Sequence, residues 1–214
     1  MRTKTLLLTA ALTAVGIATS MAQVYSVNAV GYVKTTLKPG FNLVSNPLTG
    51  SDNTLGGLLA NIGGGIPDGL QAYKYDGAGF KSVTADFGEL SPPGNVSLTV
   101  VPGEGMFINN PGATALTITF VGEVSQGALS NPLPKGLSIR SSQVPQAGTA
   151  ADLGLVGEDG DQVFQYSAAT QSYYSSTFDF GEWSPALKTI AVGEAFFLSK
   201  AAAGTWTRNF SVNN

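Results

Sequence analysis

The stretch "TADFGELSP" at positions 84–92 returns as "TFDFGEWSP" at 177–185. It belongs to a longer self-similarity that runs through the chain in constant order. "LKPGFNLVS" from Leu37 answers "LPKGLSIRS" from Leu133, and "AYKY" from Ala72 answers "VFQY" from Val163. The segment Gly103 to Phe120 aligns without a gap to Gly193 to Phe210. Val30-Gly31-Tyr32-Val33 also matches Val121-Gly122-Glu123-Val124. A chain that repeats one supersecondary unit must solve the same folding problem twice, so its architecture is bounded by what a single unit can form. We place the units at 23–118 and 119–214, with residues 1–22 ahead of them.

Within each unit the apolar residues alternate with period two, as in Phe41-Asn42-Leu43-Val44-Ser45 and Leu116-Thr117-Ile118-Thr119-Phe120. Such segments are short, rich in Val, Ile, Thr, Tyr and Phe, and bounded by Gly, Pro, Asn and Asp; that is the pattern of half-buried strands joined by turns. The expectation is an all-β fold of two homologous β-sandwich or barrel-like units, each of six to seven strands, packed together. The one helical candidate is 53–62, capped by Ser51 or Asp52 and weakened by Gly56 and Gly57, so that one short turn of helix is the most expected. The ungapped segment predicts Phe107 over Phe197 and Phe120 over Phe210, all buried.

Residues 1–22 read as a secretory signal: Arg2 and Lys4, an apolar stretch from Leu6 to Ile17, then Ser20-Met21-Ala22 as a small-x-small cleavage site. Beyond it no stretch has the roughly 20 apolar residues that cross a bilayer. The 11 basic and 14 acidic residues become 9 and 14 once Arg2 and Lys4 are removed, a net charge of −5 (9 minus 14). With no basic run, nucleic acid and anionic lipid are disfavoured partners. The chain has no Cys and no His. That removes disulfides, thiolate nucleophiles, Ser-His triads and the common zinc and copper sites together.

Carboxylates are the remaining reactive groups. Asp86-Phe87-Gly88 and Asp179-Phe180-Gly181 could be a duplicated Asp-x-Gly in which each half offers one Asp to a shared proton. The middle residue is Phe rather than a hydroxyl residue, and polar residues precede it. A shaped turn with the Phe buried is the stronger reading. Glu104 and Glu194, each after a Gly, are expected to bond turn amides rather than to act as a glycosidase acid and base. Glu158-Asp159-Gly160-Asp161 lacks the alternating ligand spacing of a calcium loop and reads as a solvated acidic turn. No metal site or cofactor is expected.

The segments "GFNLVSNPL" from Gly40, "AYKYDGAGF" from Ala72 and "VPGEGMFINN" from Val101 resemble a module of secreted and surface bacterial proteins. That module runs Gly-aromatic-Asn-Leu-Ile-x-Asn-Pro, an aromatic hairpin, and Pro-Gly-Gln-Gly-Phe-Phe-Val. The opening "NAVGYVKTTLKPGFNLVSNPL" is similar to exported proteins of the Verrucomicrobia type. The resemblance implies a β-rich extracellular protein with no assigned catalytic residues. Departures are Ser142-Gln143 in place of Asn46-Pro47, and Glu104 and Glu194 at the module's Gln.

The expected function is that of a secreted, non-enzymatic structural, adhesive or matrix-interaction protein, acting at the cell surface, outside the cell or in the periplasm. Its partners would be polysaccharide or other surface proteins. The alternative is a carbohydrate-binding module that uses the aromatics of the second unit, and a carboxylate-dependent hydrolase stands further off. Exposed Trp and Tyr offer apolar area with a polar edge, suited to sugar faces. Tyr174, Trp183 and Trp206 are the binding candidates.

Overall fold

The computed structural model describes residues 29–212, so the expected signal at 1–22 lies outside the described residues. The first unit contains β1 (Val30–Leu37), β2 (Gly40–Ser45), β3 (Gln71–Tyr75), β4 (Phe80–Asp86), β5 (Glu89–Ser91), β6 (Gly105–Asn110) and β7 (Leu116–Glu123). The second repeats the set as β8 (Gly127–Leu133), β9 (Gly136–Arg140), β10 (Gln162–Ser167), β11 (Ser172–Asp179), β12 (Glu182–Ser184), β13 (Phe196–Lys200) and β14 (Gly204–Phe210). The five-stranded antiparallel sheet β2-β6-β3-β4-β5 has its counterpart in β9-β13-β10-β11-β12, and the ribbon β1-β7 in β8-β14. The fold is all-β, with the same strand order in both halves.

Each sheet buries one face under its own ribbon. Met106 and Ile108 of β6, with Ala72, Val83 and Ala85, pack against Ile118 and Phe120 of β7. In the second unit Val163, Phe196 and Leu198 meet Trp206 of β14. The opposite faces of the two sheets meet each other: Leu43 and Phe107 from the first unit pack with Ile139, Ala195 and Phe197 from the second. Period-two alternation thus serves two cores at once. Phe107 turns to the junction while its neighbours fill the unit.

The junction has the reciprocity of an isologous dimer written in one chain. Ser45 N donates to Gly193 O at 2.8 Å, and the equivalent Ser141 N donates to Gly103 O at 3.0 Å. Val44 bridges Glu194, and its counterpart Arg140 bridges Glu104. Gly105 lies where the halves come closest; a Cβ there would fall 2.4 Å from Ala195 Cβ and 2.6 Å from Ile139 Cγ2.

Three expectations need correction. Val30-Gly31-Tyr32 and Val121-Gly122-Glu123 are paired strands rather than equivalent ones, in register Val30↔Glu123, Gly31↔Gly122 and Tyr32↔Val121. β7 therefore runs past 118 and stays with the first unit. Phe107, Phe197 and Phe120 are buried, but Phe210 is only half-buried. Its inward neighbour is Arg208 where the first unit has Ile118, and that guanidinium lies 5.2 Å from the Phe210 ring centroid. The helical candidate is the one short turn expected, Leu55–Leu59, but its cap is Thr54, whose Oγ1 accepts from Gly57 N at 3.1 Å, and a second short turn of helix forms at Pro93–Val96. Gly56 and Gly57 admit Val96 and the Asp52 carboxylate, each closer than 3 Å to where a Cβ would be.

Candidate functional site

Away from the closest contact, between β3–β4 and β10–β11, the two facing sheets leave an aromatic cleft of about 360 Å³. It is lined by Phe41, Tyr73, Phe80, Phe107, Tyr166, Tyr173 and Phe197, drawn from both units. The rings hold one another edge-on: Phe107 to Tyr166 at 5.2 Å, Tyr166 to Tyr173 at 5.0 Å, and Tyr73 to Phe80 at 6.2 Å between centroids. Such tilted packing favours the ring quadrupoles and fixes the walls. Phe80 and Tyr173 stay about half exposed, at 48% and 51%.

Gln171 ties one rim across the units. Its Nε2 donates to Phe41 O at 3.0 Å, and its Oε1 accepts from Phe41 N at 2.9 Å, as a paired strand residue would. The same Oε1 accepts from the Tyr166 hydroxyl at 2.9 Å. Gly40, at φ 83°, makes room, since a Cβ there would fall 2.8 Å from Gln171 Oε1. Beside the aromatic floor lies a neutral polar row. Gln71 Oε1 accepts from Tyr73 OH at 2.7 Å and from Asn109 Nδ2 at 3.4 Å, and Gln71 Nε2 donates to Thr84 at 3.4 Å. Burial raises the pKa of Tyr166, and that of Tyr173 is raised by burial and then by Tyr166, so both phenols remain neutral. Among the described residues no carboxylate or cation lines the cleft. Its chemistry is stacking and neutral hydrogen bonding.

None of the three binding candidates lines this cleft. Trp206 is a core residue, 5% exposed, with Nε1 donating to Leu153 O at 2.8 Å. This corrects the expectation of a surface ring, because the inward face of β14 closes the second unit. Trp183 is half-buried against Phe178, with centroids 5.1 Å apart. Tyr174 points to the opposite face of β11 from Tyr173; its hydroxyl donates to Ala186 O at 3.0 Å, and Lys188 Nζ lies 4.2 Å from its ring centroid. The cleft residues carried a signal of their own, in the recurrence of Tyr73-x-Tyr75 as Phe164-x-Tyr166 and of Phe80 as Tyr173.

The repeated acidic phrase forms a hairpin turn in each unit, with Asp86 paired to Glu89 and Asp179 to Glu182. Phe87 and Gly88 have φ of 47° and 82°, and Phe180 and Gly181 have 51° and 87°, so both central residues are left-handed as in a type I′ turn. The Ser-Pro bond that follows is cis in both copies. The expected burial of the Phe is wrong: Phe87 is 89% and Phe180 92% exposed. A tight two-residue turn points its first side chain away from both sheets.

The Gly-Glu carboxylates serve structure. Glu104 Oε2 accepts from Val101 N at 3.2 Å and from Lys74 Nζ at 3.0 Å. Glu194 Oε2 accepts from Ala191 N at 2.8 Å, and burial raises its pKa against those bonds and Lys188. The turn at 158–161 is exposed at Glu158, Asp159 and Gly160, as expected of a solvated turn, but not at its last residue. Asp161 is buried, and Lys200 Nζ sits 2.5 Å from its Oδ2 and 2.9 Å from Glu158 Oε2. An internal ammonium occupies the place considered for calcium. Among the described residues no three acidic groups gather as a metal cluster, and no helix is long and apolar enough to cross a membrane.

Comparison with protein-family models, with curated proteins and with solved structures finds no match to this chain.

Proposed function

We propose that the protein is an exported, non-enzymatic adhesive or matrix protein of a bacterial exterior that holds uncharged polysaccharide in the cleft between its two units. The observation that carries this reading is the cleft itself: seven aromatic rings from both units, free of charge and bordered by Gln71, Asn109 and Thr84. The C–H face of a pyranose is apolar and stacks on such rings, while its hydroxyls are matched by neutral amides and hydroxyls. A hydrolase would need a carboxyl pair flanking the bound sugar, and the carboxylates of the hairpin and Gly-Glu turns bond their own turns or face solvent.

The test is calorimetric titration with soluble neutral polysaccharides such as hydroxyethylcellulose, xylan and galactomannan, set beside alginate. Binding to at least one neutral polymer is expected. Phe80→Ala and Tyr173→Ala should each weaken it by about three- to tenfold, the equivalent of one aromatic contact. Tyr174→Ala and Trp183→Ala should leave it unchanged. Absence of binding to every neutral polymer, or binding that depends on Trp183 and not on Phe80, would remove the reading.

A further inference from the structure

The two hairpin tips cost the fold something and return nothing to it. The first central position of a type I′ turn suits Asn, Asp or Gly, and a left-handed conformation costs other L-residues roughly 1–2 kcal/mol. Phe87 and Phe180 carry that strain with almost their whole rings in water. Carboxylates flank each ring, Asp86 and Glu89 in one unit and Asp179 and Glu182 in the other, and none of the four is in a salt bridge among the described residues.

A receptor of matching chemistry lies on the same molecule. On the other side of the Tyr75–Phe80–Phe197 ring cluster from the aromatic cleft is a second cavity, of about 390 Å³, between the units. Leu98, Leu137 and Ile139 contribute apolar wall, and Lys74, Lys81 and Arg140 contribute cations. A benzene ring enters a cavity of about 150 Å³, so a phenyl group fits with room for its flanks. Lys74 is taken by Glu104 at 3.0 Å, and Lys81 lies 3.8 Å from Asp76. Arg140, half-buried on the same wall, forms no salt bridge among the described residues. Burial depresses its pKa, and the charge of Glu104 acts against that.

We propose that the occupant of this cavity is a hairpin tip of a second copy of the chain, its Phe87 or Phe180 ring against Leu98, Leu137 and Ile139 and its flanking carboxylate on Arg140. The tip and the cavity are different surfaces, so copies add head to tail through a heterologous contact, which gives a ring where the rotation closes and an open filament where it does not. The aromatic cleft lies outside the contact, so this inference does not rest on polysaccharide binding.

Sedimentation velocity across a concentration series of the purified protein, with electron microscopy of the densest sample, tests it. The expected result is a sedimentation coefficient that rises with concentration, with rings or filaments in the micrographs. Phe87→Asn and Phe180→Asn place in each turn a residue that accepts the left-handed conformation, so folding is kept and the melting temperature holds or rises. The double variant should remain monomeric throughout. Arg140→Gln should weaken association by about tenfold or more, as loss of an interface anchor does. A monomeric wild-type protein at every concentration, or an undiminished association in the double variant, would overturn the proposal. So would phosphatidylcholine vesicles binding a monomeric wild-type protein through its tips.

Discussion

Gly105→Ala presses a methyl group into the place where the two units touch. The built Cβ lies 2.4 Å from Ala195 Cβ and 2.6 Å from Ile139 Cγ2, both well inside contact distance, and 3.1 Å from Val44 O. The sheets cannot part to admit it without stretching the paired bonds Ser45 N to Gly193 O and Ser141 N to Gly103 O. Overpacking of this kind costs about 1–3 kcal/mol. The entropy that Ala removes from the unfolded chain returns about 0.4–1 kcal/mol, so a net loss of roughly 1–2 kcal/mol is expected. Urea denaturation followed by tryptophan fluorescence measures it. Ala195→Gly in the same chain removes the nearer of the two side-chain contacts and leaves Ile139. The double variant should therefore recover about 1 kcal/mol relative to the sum of the single changes, a coupling within the usual range for touching residues. A Gly105→Ala protein as stable as the parent, or strict additivity with Ala195→Gly, would refute the packing of the two sheets through this face.

Three further outcomes are expected. Trp206→Ala should cost about 3–5 kcal/mol by denaturant titration, as for a deleted core ring, and Trp206→Phe less, while neither changes polysaccharide binding in the folded fraction. Lys200 is held by Asp161 and Glu158 strongly enough to raise its pKa although burial acts to lower it. Its contribution to stability is therefore fully present below the ordinary lysine value and lost as pH rises through the higher folded value, a high-pH decline that Lys200→Met should abolish in a pH series of melting temperatures. Glu194 gives a slope of the same sign at lower pH: its carboxyl is raised by burial, so the folded state binds the proton more tightly and stability falls as pH climbs from the ordinary glutamate value through the raised one. Glu194→Gln should flatten that slope and gain more at pH 7 than at pH 4.

The strands were legible because alternation and turn residues are local, and the ungapped run from Gly103 to Phe120 carried the register of one unit onto the other. Period two says that a strand has two faces without saying what covers each. Trp206 could be assigned to a surface for that reason, and the paired cores that divide Met106 from Phe107 were hidden. The match of Val30–Tyr32 to Val121–Glu123 was read as duplication, whereas cross-strand partners in one ribbon also come to look alike. Asp-Phe-Gly-Glu spells a turn, but the apolarity of its Phe suggests burial where the geometry of a two-residue loop exposes the ring. The cleft depended on how two sheets stack, and its residues lie as far apart in the chain as Phe41 and Phe197.

The most direct test of the whole account is the affinity of the best neutral polysaccharide for the parent protein and for Phe80→Ala/Tyr173→Ala, each measured at low and at high salt. The account predicts an affinity nearly indifferent to salt, because no charge lines the cleft and screening has nothing to act upon. It predicts a loss of about tenfold or more in the double variant at both salt levels. An affinity that collapses with salt while the double variant binds as the parent does would contradict it.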